Sequence, residues 1–165
     1  HMTVMYANAL YQRGFVKEGY KALYTLLGQA MDTGTSRMYP GLPEYFDAQG
    51  KGKYPYLTGA ASWYMMTVVT QIYGFRGLWG DLMIAPKILL EQFDTEGNFS
   101  AEIPFHGQTF SVVYQNPDHR EYGDYRISEL WIDGILYEET EQERVCIPFS
   151  VFEGTGTHTI RVVLK

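Results

Sequence analysis

Residues 56–63, Tyr-Leu-Thr-Gly-Ala-Ala-Ser-Trp, have the types and spacing of a helix start that could receive an anion. Thr58 is a favourable N-cap residue, and Gly59 lets a ligand approach the backbone because it has no side chain. The unpaired amides and the positive end of the helix dipole attract negative charge there. Phosphate is therefore one candidate occupant. The other interpretation is a capped helix without a ligand, which the residues alone favour.

Residues 36–46 form a second candidate, a polar cleft for a sugar. Tyrosine rings stack on the apolar C–H face of a pyranose, and carboxylates accept hydrogen bonds from its hydroxyl groups. The candidate sugar contacts, including one later tyrosine, are Arg37, Tyr39, Glu44, Tyr45 and Tyr56. The alternative is a loop that covers a helix end, and for any single residue the pattern favours that structural role.

The other reactive residue types indicate no catalytic or metal site. His106, His119 and His158 fall at predicted turns without metal-ligand spacing, so we expect each of them to be solvated. Cys146 lies in an apolar strand, which predicts an inert thiol in the core. The acidic run 138–143 is expected to be a solvated loop or an edge strand.

Composition narrows the class of protein. The chain has 165 residues, 45% of them hydrophobic and 19% charged, which is typical of a globular protein and not of a disordered one. A net charge of −6 argues against a non-specific nucleic-acid binder. No apolar run approaches the ~20 residues of a membrane helix, and the start lacks a signal-peptide pattern. We therefore expect a cytoplasmic protein that binds neither nucleic acid nor membrane.

The elements that must position these residues divide into two groups. Residues 3–90 carry eight basic and five acidic side chains, whereas residues 91–165 carry five and fourteen, so the charge changes from +3 to −9. Such a step predicts two structural units. Helical periodicity covers 3–13, 15–31 and 58–73, and the last of these is apolar on nearly all sides, which predicts burial all round. Residues 32–57 show no helical period.

The second group has the pattern of a β-sheet unit. Short alternating or β-branched runs are separated by turn residues, of which Asp133-Gly134 is a good hairpin signal. Another predicted turn is 153–156. This pattern favours an antiparallel sandwich. The predicted strands are 81–85, 99–105, 109–114, 125–132, 144–149 and 158–164.

Several segments resemble the C-terminal end of glycoside hydrolase family 94, the cellobiose and chitobiose phosphorylases once classed as glycosyltransferase family 36. The resemblance runs from about Thr3 to the end of the chain, and in the β region it is mainly one of layout. The segments that carry it are 39–46 (Tyr-Pro-Gly-Leu-Pro-Glu-Tyr-Phe), 56–63, 73–77 (Tyr-Gly-Phe-Arg-Gly) and 82–87 (Leu-Met-Ile-Ala-Pro-Lys).

The resemblance implies an α+β fold, in which the final helices of an (α/α)6 barrel precede an antiparallel, jelly-roll-like β-sandwich. The expected bounds are 3–80 for the helical segment and 81–165 for the sandwich. His1-Met2 is interpreted as a cloning scar, and the helical pattern at Thr3 predicts a fragment of a larger protein. The reaction implied is inverting phosphorolysis of a β-glucoside, in which inorganic phosphate attacks the anomeric carbon and gives a sugar 1-phosphate.

The family's phosphate site includes a Thr-Gly pair that corresponds to Thr58 and Gly59. Its general-acid Asp and its phosphate-binding Arg and His lie upstream and have no counterpart here. The resemblance therefore implies no catalytic residue, no cofactor besides phosphate as co-substrate, and no activity of this chain alone. Implied partners are a β-linked disaccharide or oligosaccharide, and a second copy or the absent barrel portion. The alternative is a non-catalytic carbohydrate-binding or assembly module.

Overall fold

The chain divides into two units, residues 1–72 and residues 73–165. The computed structural model describes residues 1–39, 41–152, 154 and 156–165. The first unit contains the α-helices and the second is rich in β-strands, so the predicted α+β class is confirmed. The division falls after Ile72, earlier than the expected bound at residue 80, because Phe75–Leu78 forms a strand of the second unit.

Two antiparallel helices begin the first unit. Helix α1 spans Met2–Gln12 and helix α2 spans Val16–Met31, as the periodicity predicts. Gly14 separates them in the left-handed region with φ +84°, a conformation that glycine adopts without steric cost. The helices approach closely because Gly19 faces the Tyr11 ring: a Cβ atom on Gly19 would lie 2.6 Å from a carbon of that ring.

Residues 32–58 connect these helices to the last helix. They contain the single helical turn α3, Thr33–Ser36, and a small antiparallel hairpin of strands β1, Tyr45–Phe46, and β2, Gly52–Lys53. The absence of a helical period over most of this segment is confirmed, although the turn α3 was not predicted. Pro40, which belongs to the predicted loop, lies outside the described residues.

Helix α4 spans Gly59–Thr67 and continues as a π-helical turn over Val68–Ile72, so the predicted helix is confirmed in position. The expectation that it is buried all round is wrong, because Met65 is 61% exposed. Helix α4 contacts α1 on one side, where the Asn8 side-chain amide donates to the Thr67 hydroxyl at 3.0 Å. The described part of this unit does not cover the side that carries Met65.

Among its described residues, the second unit contains two sheets. The smaller has the order β3-β4-β9 and comprises Phe75–Leu78, Asp81–Ile84 and Val145–Ile147. The larger has the order β5-β6-β10-β7-β8 and comprises Asn98–Phe105, Gln108–Gln115, Thr157–Leu164, Ile127–Ile132 and Ile135–Gln142. Most predicted strands are confirmed, β3 was missed, and the acidic run belongs to the edge strand β8 and the turn after it.

One strand pair corrects the prediction of an antiparallel sandwich. Strand β10 pairs parallel with β6 and antiparallel with β7. Strands β6 and β7 therefore run in opposite directions, and any strand inserted between them must be parallel to one of the two. The larger sheet is mixed for this reason, while its other neighbours are antiparallel.

Aromatic rings fill the space between the two sheets. Phe75 of β3 lies 5.4 Å from Phe110 of β6 and 5.6 Å from Phe105 of β5, measured between ring centroids. This face-to-face packing gives the second unit a sandwich-like form. In β9 the side chains of Val145 and Ile147 point into the core, so the strand's alternation turns Cys146 outward. The predicted core thiol is therefore wrong.

The hairpin between β7 and β8 has the predicted turn. Asp133 and Gly134 have φ values of +50° and +80°, as the Asp-Gly pair requires. Asp133 also accepts from the Nδ1 atom of His158 at 2.7 Å and from the Thr159 amide at 2.8 Å. Burial would raise the pKa of Asp133, but these hydrogen bonds outweigh it and keep the pKa below its usual value.

His158 corrects the expectation of three solvated histidines. Its side chain is only 13% exposed, and its ring stacks on Phe110. His106 and His119 are exposed, as predicted. The predicted turn 153–156 includes Glu153 and Thr155, which lie outside the described residues.

The described residues contain neither a membrane-spanning helix nor a cluster of metal-ligating side chains. None of their helices combines the length and the apolar character needed to cross a membrane. The same residues contain no group of three or more His, Cys, Asp or Glu side chains that could hold a metal ion.

We predict that Gly74→Ala destabilises the second unit severely. Gly74 has φ +64°, and a Cβ atom there would overlap the Ala85 carbonyl group. The two residues are held together because the Ala85 amide donates to the Gly74 carbonyl oxygen at 3.0 Å. Strain and overlap together should lower the free energy of unfolding by about 3 kcal/mol or more. Equilibrium urea unfolding followed by the β-sheet circular dichroism signal measures this.

Gly80→Ala is the matched control. Gly80 lies in the turn of the same hairpin with φ +97°, but open space surrounds its Cβ position. We expect it to cost about 1 kcal/mol. Equal effects of the two substitutions would show that the close approach to Ala85 is unimportant.

Candidate functional site

Thr58 is the N-cap of helix α4. Its backbone is extended, with φ −72° and ψ 132°, while its hydroxyl oxygen accepts from the Ala61 amide at 3.1 Å. The hydroxyl proton goes to the Leu42 carbonyl oxygen at 2.8 Å. The side chain is thus bonded on both sides and buried, which fixes the start of the helix against the preceding loop.

The next amide of the helix start binds a carboxylate of the same chain. The Ala60 amide donates to Oε2 of Glu44 at 3.1 Å, and Oε1 of Glu44 lies 2.5 Å from Nδ1 of His1. The N-terminal ammonium of His1 also donates to the Glu44 backbone carbonyl at 2.8 Å. An anionic group therefore already occupies the positive end of the helix dipole, where negative charge is favoured.

Gly59 lies beside this carboxylate, against the ring of His1. The His1 ring occupies the space that a Cβ atom on Gly59 would take, so any larger residue would displace the ring. The absence of a side chain leaves the helix start open to a group approaching from this side, as the sequence predicts. In the structure that group is the imidazole of His1.

A cavity of about 480 Å³ opens next to Glu44. It falls within the volume range of ligand sites, about 300–1,000 Å³. The residues that line it include His1 and Met2 at the chain start, Leu26 of α2, Glu44, and Tyr45 and Phe46 of strand β1. A carboxylate beside aromatic rings could accept hydrogen bonds from a hydroxyl-bearing ligand that stacks on the rings.

The structure brings together only some of the predicted sugar contacts. Glu44 and Tyr45 line the cavity, and Glu44 also meets the helix start at Ala60. Arg37, Tyr39 and Tyr56 are exposed and belong to none of the side-chain hydrogen bonds found among the described residues. They remain predicted sugar contacts without a described partner.

Sequence reasoning missed two features of the site. His1 was set aside as a cloning scar, yet it contacts both Glu44 and the space above Gly59. The bond from the Ala60 amide to Glu44 joins residues sixteen positions apart, a separation with no sequence signature. The hairpin β1–β2 creates it, since the Glu44 amide is anchored to the Tyr54 carbonyl at 3.2 Å.

No family model and no curated protein matches the chain.

We predict that Thr58→Ala weakens the start of α4, whereas Thr58→Ser preserves it. Alanine removes the acceptor for the Ala61 amide and the donor to Leu42, and loss of an N-cap typically costs about 1 kcal/mol. Serine keeps both hydrogen bonds. Amide hydrogen exchange at Ala61 should accelerate about fivefold in the alanine variant and change little in the serine variant. Unchanged exchange after Thr58→Ala would refute this role of the hydroxyl.

Proposed function

We propose that this chain is the C-terminal part of an inverting glycoside phosphorylase of the family 94 type. In this proposal the start of helix α4 binds the inorganic phosphate that attacks the sugar. The observation that supports it most strongly is the occupied helix start, where the Ala60 amide binds the Glu44 carboxylate and the Ala61 amide binds the Thr58 hydroxyl. An anion-binding position thus exists, and a carboxylate of the chain fills it.

Phosphate would replace the Glu44 carboxylate on the Ala60 amide. A phosphate oxygen could then accept from this amide. It could also accept from the Thr58 hydroxyl, once the Thr58 side chain has rotated away from the Leu42 carbonyl. Phosphate would also displace the His1 ring, which lies in the space above Gly59. Helix dipole and amides would favour the phosphate dianion, because both interact with its negative charge.

The displaced Glu44 would turn toward the sugar. It already lines the cavity of about 480 Å³ together with Tyr45 and Phe46. There its carboxylate could accept hydrogen bonds from sugar hydroxyl groups while a ring supports the pyranose face. The phosphate and the sugar would then lie next to each other with no side chain between them, as attack of a phosphate oxygen on the anomeric carbon requires.

In this proposal the chain supplies the groups that bind phosphate, but it does not supply the general acid. Inverting transfer also needs a carboxylic acid that protonates the glycosidic oxygen from the opposite face of the sugar. Glu44 is on the phosphate side, so it cannot serve that role in the same complex. A carbohydrate-binding module is the second candidate, favoured by the aromatic cavity wall, and would bind a disaccharide with an affinity independent of phosphate.

Exposed apolar side chains support the expected association with the absent barrel portion or with a second copy of the chain. Within the described residues, helices α1, α2 and α4 expose the large side chains Met2, Tyr6, Tyr24, Leu27, Met31, Met65 and Met66. Exposed apolar side chains that form a patch usually mark an interaction surface. We infer that these side chains pack on the remaining barrel helices in the complete enzyme, and on a second copy in the isolated chain.

This association predicts a dimer. Sedimentation equilibrium at micromolar concentration should give the mass of two chains, and an 18.9 kDa monomer would contradict the prediction.

The phosphate proposal predicts that Glu44→Gln raises the phosphate affinity of the chain. The substitution removes the charge that competes for the Ala60 amide and keeps the size of the side chain. We expect wild-type binding to be millimolar or weaker and the variant to bind about tenfold more tightly. Isothermal titration with inorganic phosphate measures both. Adding Thr58→Ala to Glu44→Gln should abolish the gain.

Two controls isolate the effect. Glu18→Gln makes the same chemical change on the exposed surface of α2 and should leave the affinity unchanged. His1→Ala in the Glu44→Gln background tests whether the contact of His1 with residue 44 affects phosphate binding, and it should retain most of the gain. A Glu44→Gln variant that binds phosphate no better than wild type would overturn the proposed phosphate position.

A further inference from the structure

The second unit contains a cavity of about 240 Å³ with an unusual concentration of positive charge. Four cationic side chains line it, Arg76, Lys87, Arg126 and Arg144, beside the single carboxylate of Glu143. They come from four separate segments, so only the fold brings them together. The volume is small for a drug-sized ligand but suits a compact one.

The surroundings make this cluster significant. Residues 73–165 carry seven basic and fifteen acidic side chains, a net charge of −8. Four of the seven basic residues therefore line one small cavity of an otherwise acidic unit. This concentration of cations favours an anionic ligand, because a cavity lined by one sign of charge focuses the field that attracts the opposite charge.

Hydrogen bonds within the chain fix one of these cations. Nη2 of Arg126 lies 3.2 Å from Oε1 of Glu143, whose side chain is 78% exposed. The other terminal nitrogen of Arg126 donates to the backbone carbonyls of Tyr125 at 2.7 Å and Gly123 at 2.9 Å. The Arg126 guanidinium is therefore held in place as part of the cavity wall.

The cations are close enough to influence one another. Burial lowers the pKa of Lys87, and the positive charge of Arg76 lowers it further. Like charges brought together in a half-buried place cost free energy, and a bound anion would relieve that cost. The arrangement therefore resembles a receptor for negative charge more than a feature that stabilises the fold.

The rest of the lining is apolar and aromatic. Pro86, Ile127 and the ring of Tyr122 provide it, and the Tyr122 ring packs edge-on against Tyr125. Tyr125 is itself fixed, since its hydroxyl donates to the Ile88 carbonyl at 3.0 Å and accepts from the Ile88 amide at 2.9 Å. This wall can make apolar contacts with the carbon atoms of an organic ligand. An inorganic ion has no carbon atoms to make them.

We propose that this cavity binds a small organic phosphate, with the guanidinium groups of Arg76, Arg126 and Arg144 around the phosphate and the Tyr122 wall against the organic group. Guanidinium groups match the geometry of phosphate oxygens and form paired hydrogen bonds with them. Several arginines around one small volume suit a dianion better than a singly charged group. The site is separate from Thr58, and its existence does not depend on the phosphorylase proposal.

Isothermal titration of the full chain with phenyl phosphate tests this inference. We expect saturable binding that is at least about tenfold tighter than that of phenyl sulfate, which has the same shape and a single charge. Arg76→Gln and Arg144→Gln should each weaken phenyl phosphate binding at least about tenfold, since each removes a charged hydrogen bond. Both side chains are exposed, and circular dichroism verifies that the variants fold.

Arg161→Gln is the matched control. It removes one positive charge from the same unit, but the Arg161 guanidinium lies over the Trp131 ring, 4.3 Å from its centroid, and does not line the cavity. We expect it to change phenyl phosphate binding less than twofold.

Three results would overturn the inference. The first is the absence of saturable phenyl phosphate binding, and the second is equal affinity for phenyl sulfate. The third is a loss of binding after Arg161→Gln as large as the loss after Arg144→Gln. Failure of phosphate to bind the Glu44→Gln variant more tightly would count against the phosphorylase proposal and leave this cavity unaffected.

Discussion

The amides at the start of helix α4 must find hydrogen-bond acceptors, and the candidate site depends on how they do so. A helix start leaves its first amides unpaired within the helix. Here Thr58 satisfies the Ala61 amide, and Glu44 satisfies the Ala60 amide from the loop that carries the hairpin β1–β2. The same two bonds therefore end the irregular segment, begin the helix and place a carboxylate beside the cavity.

This arrangement gives one position two uses. A carboxylate on a helix start stabilises the fold through the helix dipole, and it also occupies the position where an external anion would bind. The two units place opposite charges at the positions described above. In the first, Glu44 supplies the negative charge that the backbone favours; in the second, four cations gather around a cavity whose single carboxylate, Glu143, is largely exposed.

Local sequence rules predict the local features well. Periodicity gives the three long helices, and the Asp133-Gly134 pair gives its turn because few other residues tolerate two positive φ values. Thr58 is recognised as an N-cap for the same kind of local reason. Long-range features escape such rules: the Glu44–Ala60 bond, the parallel placement of β10, and the cationic cavity each join segments distant in sequence. Cys146 was misjudged because its apolar neighbours indicate a core strand without showing which face is buried.

The most direct test of the account is a crystal structure of the Glu44→Gln chain soaked in inorganic phosphate. The account predicts a phosphate within hydrogen-bond distance of the Ala60 amide and the Thr58 hydroxyl, with the substituted side chain turned toward the cavity. A helix start that keeps the substituted side chain on the Ala60 amide, with no phosphate bound there, would contradict it.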